Sequence, residues 1–174
     1  MLIGIMSDTH DHVPKVVEAL RTLKERGVEA IIHLGDIISP FVVKRMVKEL
    51  ENTGIRVFAI KGNNDGDVAL LTKLFREAGW EFYTSPTIIS VGDKRFLIMH
   101  GYNGIDWTEA LAVTIVKMEN IDAVLFGHTH RKFVKSVDGK LVLNPGEVCG
   151  YLTGVSSVVV LNTSNMNADF IELK

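Results

Sequence analysis

AVLFGHTH, at residues 123–130, joins a four-residue apolar run to two histidines separated by one residue. Four more apolar runs end in the same way, in polar residues that bind metals. They are residues 3–6 before Asp8 and His10, 30–34 before Asp36, 57–60 before Asn63, and 96–99 before His100. Ligands of an open α/β sheet bind outside the carboxyl ends of its strands. We therefore expect these seven side chains to meet at one sheet edge, in a binuclear metal site.

The spacing of apolar residues predicts an α/β protein. In the first half, short apolar runs predict strands, and an amphipathic helix follows each of them. The expected order is strand 3–6, helix 14–23, strand 30–34, helix 40–50, strand 57–60 and helix 68–78. The second half of the chain has a different pattern. It predicts one hairpin that turns at Gly92-Asp93-Lys94, then a helix at 108–118, and later a second hairpin that turns at Asp138-Gly139. Strands at 156–161 and 168–173 complete a mixed sheet or a two-sheet sandwich with outer helices.

Length and composition favour a globular domain. The 174 residues are enough for one domain with a substantial core, and we expect it to span residues 1–174. The net charge is −2 and no Lys/Arg-rich run occurs, so we do not expect a long nucleic acid as partner. The apolar runs are shorter than the roughly 20 residues that span a membrane, and the N-terminal run does not resemble a signal peptide. We therefore expect a cytoplasmic protein without a membrane segment.

The candidate ligands are four histidines, two aspartates and one asparagine. Cys149 is the only cysteine and is expected to be a small buried residue. A mixture of imidazole nitrogens and oxygens favours Mn, Fe, Zn, Ni or Co over Mg. Asp36 is the natural bridge, because a carboxylate has two oxygens. Two such ions, about 3.5–4 Å apart, clamp both oxygens of an in-line displacement at phosphorus, which predicts a phosphate ester as substrate.

Other notable residues have simpler interpretations. His33 lies inside an apolar strand and is expected to be packed, or to support a ligand, rather than to bind metal. Tyr102 follows His100 closely, so substrate contact and plain exposure stay open as alternatives. Trp80 and Trp107 are expected to anchor the packing. Glu147 receives no function.

The motifs, in this order and spacing, resemble those of the calcineurin-like metallophosphoesterases. They are Asp-x-His at 8–10, Gly-Asp at 35–36, Gly-Asn-x-Asp at 62–65, His-Gly at 100–101 and Gly-His-x-His at 127–130. The small size and the Asn144-Pro145-Gly146 segment are most similar to the compact YfcE-like phosphodiesterases. The resemblance implies the fold of that family, a four-layer αββα sandwich with mixed sheets.

The resemblance also implies two divalent metal ions that share Asp36. One ion would be held by Asp8, His10, Asp36 and His130, and the other by Asp36, Asn63, His100 and His128. Manganese is the first choice, with Ni, Fe, Zn and Co as alternatives. A metal-bridging hydroxide would attack phosphorus, and the cations would stabilise the charge that develops on the phosphoryl oxygens.

The sequence departs from the family pattern at Asn64. Many members carry a histidine there, which is thought to protonate the leaving group with help from the next aspartate. Asparagine cannot act as a general acid, so we expect aryl or other activated leaving groups to be favoured. Asp65, which we include among the candidate catalytic residues, is expected to orient the loop or a metal-bound water.

We interpret the chain as a metal-dependent phosphodiesterase that acts on small phosphodiesters. A phosphomonoesterase on the same site is the first alternative. The second is a protein-interaction scaffold, because the retromer complex contains a subunit of this fold that works mainly by binding partners. The presence of all seven ligands argues against the scaffold. Exposed apolar residues on the later strands are compatible with a homodimer.

Overall fold

The computed structural model describes residues 1–118 and 120–174, with eleven strands and four helices in the described part. The strands are β1 (Leu2–Met6), β2 (Ala30–His33), β3 (Arg56–Ile60), β4 (Glu81–Tyr83), β5 (Thr87–Val91), β6 (Lys94–Met99), β7 (Ala123–Phe126), β8 (Lys132–Val137), β9 (Lys140–Pro145), β10 (Ser157–Asn162) and β11 (Asn167–Glu172). The helices are α1 (Val13–Glu25), α2 (Pro40–Leu50), α3 (Val68–Glu77) and α4 (Ile105–Ile115).

The strands form two mixed sheets. The first has six strands in the order β11-β10-β1-β2-β3-β4, and the second has five in the order β5-β6-β7-β9-β8. Strands β1 to β4 are parallel to their neighbours in this run, as are β6, β7 and β9. Strands β10, β11, β5 and β8 pair antiparallel. The carboxyl ends of the parallel strands therefore lie together within each sheet.

Alternating side chains build the layers. On β2, Ile31 packs into a core with helices α1, α2 and α3, whereas Ile32 packs into a second core shared by the two sheets. Neighbouring strand residues point to opposite faces, which explains this division. On the other side, Ala112 of α4 packs against Val124 of β7 in a third core. The order is helices, sheet, sheet, helix, and the predicted four-layer αββα sandwich is confirmed.

Two elements differ from the sequence-based expectation. Strand β4 was not predicted, because only three residues pair with β3 and the first of them, Glu81, is exposed. Helix α4 begins at Ile105, three residues earlier than the expected position 108, and ends at Ile115. Within residues 1–118 and 120–174, we find no helix of the length and apolarity that crossing a membrane requires.

Candidate active site

Three candidate ligands form what we call the first half of the site: Asp8, His10 and His130. His130 Nε2 lies 3.4 Å from Asp8 Oδ1, and His10 Nε2 lies 3.9 Å from the same oxygen. Asp8 is fully buried and follows β1, whereas His130 follows β7 of the other sheet and is 8% exposed. The two sheets thus contribute ligands to one position.

The second half consists of Asn63, His100 and His128. Asn63 Oδ1 lies 3.0 Å from His100 Nε2 and 2.8 Å from His128 Nδ1. Asp36 lies between the halves, because its Oδ2 is 3.3 Å from His10 Nε2 and 3.5 Å from His100 Nε2. All seven candidate ligands are therefore connected through contacts between atoms that can bind a metal.

Hydrogen bonds behind three of the histidines determine which ring nitrogen faces the cluster. His100 Nδ1 donates to Leu34 O (2.6 Å), His128 Nε2 donates to Asn103 O (2.7 Å), and His130 Nδ1 donates to Glu147 Oε2 (2.7 Å). Each of these oxygens can only accept, so in the neutral ring the opposite nitrogen carries a lone pair that points inward. Such orientation by a second partner is typical of metal-binding histidines.

Two buried atoms at the centre need a partner that the described protein residues do not supply. Asp8 Oδ1 and His10 Nε2 are buried without a hydrogen-bond partner among the described residues. A polar atom left in this state costs about 1–3 kcal/mol. The donor set of imidazole nitrogens and carboxylate or amide oxygens suits a divalent cation, so the residues fit the metal ions that the motifs imply.

Backbone strain concentrates at these positions. Five of the seven candidate ligands have a positive φ, which residues other than glycine seldom adopt. They are Asp8 (53°), His10 (41°), Asp36 (55°), His128 (67°) and His130 (59°). A conformation of this kind costs on the order of 1–3 kcal/mol and persists where the surroundings enforce it, commonly at functional sites.

Glycines let the loops approach one another closely. A Cβ atom on Gly35, which has a φ of 99°, would lie 2.6 Å from His100 Nδ1. A Cβ atom on Gly127 would lie 2.1 Å from Ser7 Oγ. Any side chain at either position would push the loops apart, which explains the glycine in the Gly-Asp and Gly-His-x-His motifs.

The electrostatics of the cluster favour positive charge between the carboxylates. Burial raises the pKa of Asp8 above its usual value, although His100 and His130 oppose this. Burial acts in the same direction on Asp36, but contacts with His10 and His100 outweigh it and hold the Asp36 pKa well below its usual range. The contact with Asp36 likewise raises the pKa of His10. The contacts with His10 and His100 thus favour the ionised form of Asp36.

The pair after Asn63 supports the site from behind. Asp65 Oδ1 accepts from Ile38 N (2.6 Å), and its Oδ2 accepts from Gly62 N (2.7 Å). These bonds tie together the loops after β2 and β3, so the geometry favours the loop-orienting function for Asp65. Asn64 donates from its backbone N and from Nδ2 to the two oxygens of Asp36, both at 2.8 Å.

Glu147 is the functional residue that sequence reasoning missed. It is fully buried and accepts hydrogen bonds from His130 Nδ1 (2.7 Å), Cys149 Sγ (3.0 Å) and Thr153 N (2.6 Å). Burial opposes its ionisation, but the bonds from Cys149, His130 and Thr153 prevail and lower its pKa to about 2. Glu147 thus holds a negative charge behind His130. Its position after Asn144-Pro145-Gly146 was the only sequence signal.

His33 is packed, as expected. It is fully buried, and burial lowers its pKa to about 3. Its Nδ1 accepts from Gly35 N (3.2 Å), and its Nε2 lies 3.3 Å from Thr9 Oγ1, which donates to Asp36 O. The neutral ring thus has a partner at both nitrogens and no free lone pair for a metal.

The prediction for Trp107 is wrong. Its side chain is 63% exposed and lines an open pocket with Tyr102 instead of anchoring the core. Trp80 does pack: its ring centroid lies 5.8 Å from that of Phe75. The difference arises because Trp80 packs on Phe75 and on the core beneath α3, whereas the ring of Trp107 lies on the exposed side of α4.

Comparisons with known proteins agree with this geometry. Residues 1–166 match the calcineurin-like phosphoesterase superfamily domain. Phosphodiesterase MJ0936 of Methanocaldococcus jannaschii is 38% identical over 164 residues, which cover 94% of this chain and 93% of that protein. The solved structure of an archaeal phosphodiesterase has a TM-score of 0.87 and 36% identity, covering 99% of this chain and 100% of the other.

A more distant structure shares the fold alone. The phosphoesterase YfcE of E. coli has a TM-score of 0.65 at 18% identity, with 100% of both chains covered. The layer order, the cluster of metal-binding side chains and the match over most of the sequence lead to one conclusion. The chain belongs to the calcineurin-like phosphoesterase superfamily and is a metal-dependent phosphoric ester hydrolase.

Proposed function

We propose that the protein is a phosphodiesterase that uses two divalent metal ions to hydrolyse small phosphodiesters. The first ion would be held by Asp8, His10, Asp36 and His130, and the second by Asp36, Asn63, His100 and His128. The position of Asp36 carries the proposal, since one oxygen lies 3.3 Å from His10 Nε2 and 3.5 Å from His100 Nε2. When bound, two such ions activate water and neutralise charge on the phosphoryl oxygens.

Asn64 orients the shared carboxylate and limits which leaving groups the site can release. Asn64 holds both oxygens of Asp36 through two hydrogen bonds of 2.8 Å, so the shared carboxylate keeps one orientation. Asn64 cannot give a proton to a leaving group. We therefore propose a preference for diesters with activated leaving groups, and the similarity to a protein described as a phosphodiesterase supports this choice.

The ligand chemistry supports the choice of metal and substrate charge. Four imidazoles with two carboxylates and one amide suit borderline metals, of which we propose manganese. Two divalent cations against two aspartates leave a net positive site, which favours a phosphate group. The choice of manganese, the cytoplasmic location, the single domain over residues 1–174 and the homodimer stay predictions.

The decisive experiment compares bis-p-nitrophenyl phosphate with p-nitrophenyl phosphate, using protein stripped with EDTA and then supplied with Mn or Ni. We expect metal-restored cleavage that favours the diester, with about two metal ions per chain by elemental analysis. Preference for the monoester would make the protein a phosphomonoesterase. No cleavage with any metal would support the scaffold interpretation.

A further inference from the structure

An open pocket lies against helix α4, outside the cluster of candidate ligands. Its volume is about 440 Å³, and it is lined by Tyr102, Trp107, Ala110, Leu111 and Thr114. Small-molecule sites commonly have volumes of about 300–1,000 Å³. The pocket therefore has room for one substituent of a small ester.

The outer face of α4 is apolar although it faces solvent. Trp107, Ala110, Leu111 and Thr114 follow the spacing that places residues on one side of a helix. The side that includes Ala112 packs against the second sheet, and Leu111, at the border between the two sides, is partly buried against the same core. A surface helix normally presents polar residues to water, as α1 does with its exposed charged residues: Arg21, Lys24 and Glu25. The outer face of α4 thus has the composition of a binding surface.

The pocket adjoins the second half of the site through the segment 101–103. Asn103 O accepts the hydrogen bond from His128 Nε2, at 2.7 Å. A Cβ atom on Gly101 would lie 2.5 Å from His128 Cβ, so the segment 101–103 packs directly on this candidate ligand. Tyr102, one residue away, is fixed to α4 because both its N and its O bond to Thr108 Oγ1, at 3.0 and 2.9 Å.

The lining indicates which chemistry would bind. None of the five described lining residues is charged, and the Thr114 hydroxyl already donates to Ala110 O at 2.8 Å. Tyr102 and Trp107 are 62% and 63% exposed, so their rings are accessible. Aromatic side chains stack on flat rings, and the stacking itself tolerates any base because every base has a π-face.

We propose that this pocket binds an aromatic substituent of the phosphodiester, while the phosphate lies at the metal-binding cluster. The proposal rests on the proposed phosphodiesterase function and adds the class of substituent. Both an aryl group and a nucleobase present the same flat apolar surface. Stacking on aromatic side chains contributes about 1–3 kcal/mol per base, so removal of one ring should have a measurable effect.

The test measures binding of paired phosphate ligands to the manganese-loaded protein by calorimetry. Phenylphosphonate is compared with methylphosphonate, and adenosine 5′-monophosphate with ribose 5-phosphate, so one member of each pair carries an aromatic group and the other lacks it. We expect the wild type to bind phenylphosphonate about 10-fold more tightly than methylphosphonate. Trp107→Ala should abolish this preference, Trp107→Phe should retain most of it, and Met118→Ala, which removes an exposed apolar side chain beyond the pocket, should leave it intact.

The second pair identifies the source of the ring. A preference for the nucleotide that Trp107→Ala removes would extend the pocket to nucleobases, whereas a preference in the phenyl pair alone would restrict it to aryl groups. Equal affinities within both pairs, or an unchanged preference in Trp107→Ala, would overturn the proposal. A Trp107→Ala variant that loses a dimer in light scattering, with its preference unchanged, would instead assign this face to a second copy. The proposed function fails separately, if bis-p-nitrophenyl phosphate is not hydrolysed.

Discussion

The two halves of the site differ in how the protein supports their histidines. In the first half, His130 is buried and donates to the carboxylate of Glu147 at 2.7 Å. In the second half, His128 is half-buried and donates to the carbonyl of Asn103, an exposed loop residue, at 2.7 Å. Hydrogen bonds to a charged group are roughly twice as strong as neutral ones. We therefore expect the first half to bind its ion more tightly and the second half to be the more open to substrate.

Asp36→Asn breaks both halves at once, because Asp36 is the group that they share. We expect hydrolysis of bis-p-nitrophenyl phosphate to fall by about 1,000-fold, since losing one preorganised electrostatic group already costs about 100- to 1,000-fold. The metal content should fall as well. Asp93→Asn, a change at an exposed carboxylate in the hairpin turn between β5 and β6, is the matched control and should keep full activity. Near-normal hydrolysis in Asp36→Asn would refute the shared-ligand assignment.

His128→Ala breaks the second half alone. Mutation of a residue that only supports a metal ligand typically lowers activity by roughly 10- to 100-fold. Because His128 is itself a candidate ligand, we expect its removal to cause a larger loss. Metal content measured by elemental analysis should fall from about two ions per chain to about one. The melting temperature of the stripped protein should stay near that of the wild type, because His128 lies at a strand end outside the three cores. Retention of two ions would show that His128 is not a ligand.

Glu147→Gln tests the stronger support of the first half. The neutral amide keeps the size of the side chain but removes the charge behind His130, so we expect the tighter manganese site to weaken by about 10- to 100-fold in calorimetric titration. The weaker site should be unaffected. Glu172→Gln, at an exposed glutamate, provides the control. Equal weakening of both sites would show that Glu147 supports the whole fold rather than one ligand.

Asn64→His tests whether a proton donor next to Asp36, the carboxylate that the two halves share, changes the preference for leaving groups. A histidine there supplies the missing proton donor. Hydrolysis of alkyl diesters should therefore rise by about 10-fold relative to aryl diesters, which is less than the roughly 100- to 10,000-fold that a well-positioned general acid contributes. The measurement compares kcat for a p-nitrophenyl diester and an alkyl diester in both proteins. A fall on every substrate would indicate that the loss of the two bonds to Asp36 outweighs any proton transfer.

His33→Asn should have the smallest effect on activity, because the His33 ring bonds to Gly35 N and Thr9 Oγ1 and not to a metal. Burial lowers the pKa of His33 from 6.5 to about 3, so it stabilises the fold fully above about pH 6.5. This contribution is lost as the pH falls from 6.5 towards 3, because the unfolded chain then binds the proton. Between about pH 7.5 and pH 5, the wild type should lose about 2 kcal/mol more free energy of unfolding than His33→Asn. Urea titrations of both proteins at both pH values measure the free energy of unfolding. Equal losses in the wild type and in His33→Asn would contradict the prediction.

The sequence alone determined the architecture and the candidate ligands to a large extent. Short apolar runs and turn residues predicted ten of the eleven strands in the described part of the chain, and β4 was missed because it has three residues and the first of them is exposed. The seven candidate ligands could be found because each follows a strand, and the carboxyl ends of parallel strands meet at one edge. A polar residue directly after an apolar run is visible without coordinates.

Only the tertiary structure decided which groups stand behind those ligands. His100 bonds to a carbonyl 66 residues away in sequence, and His130 bonds to Glu147 across 17 residues, and neither contact has a periodic pattern. Trp107 and Trp80 are both tryptophans, and residue type alone predicts the same buried position for both. The exposure of Trp107 depends on whether another element covers α4. Local order follows from local sequence, whereas burial and hydrogen-bond partners depend on how distant segments pack together.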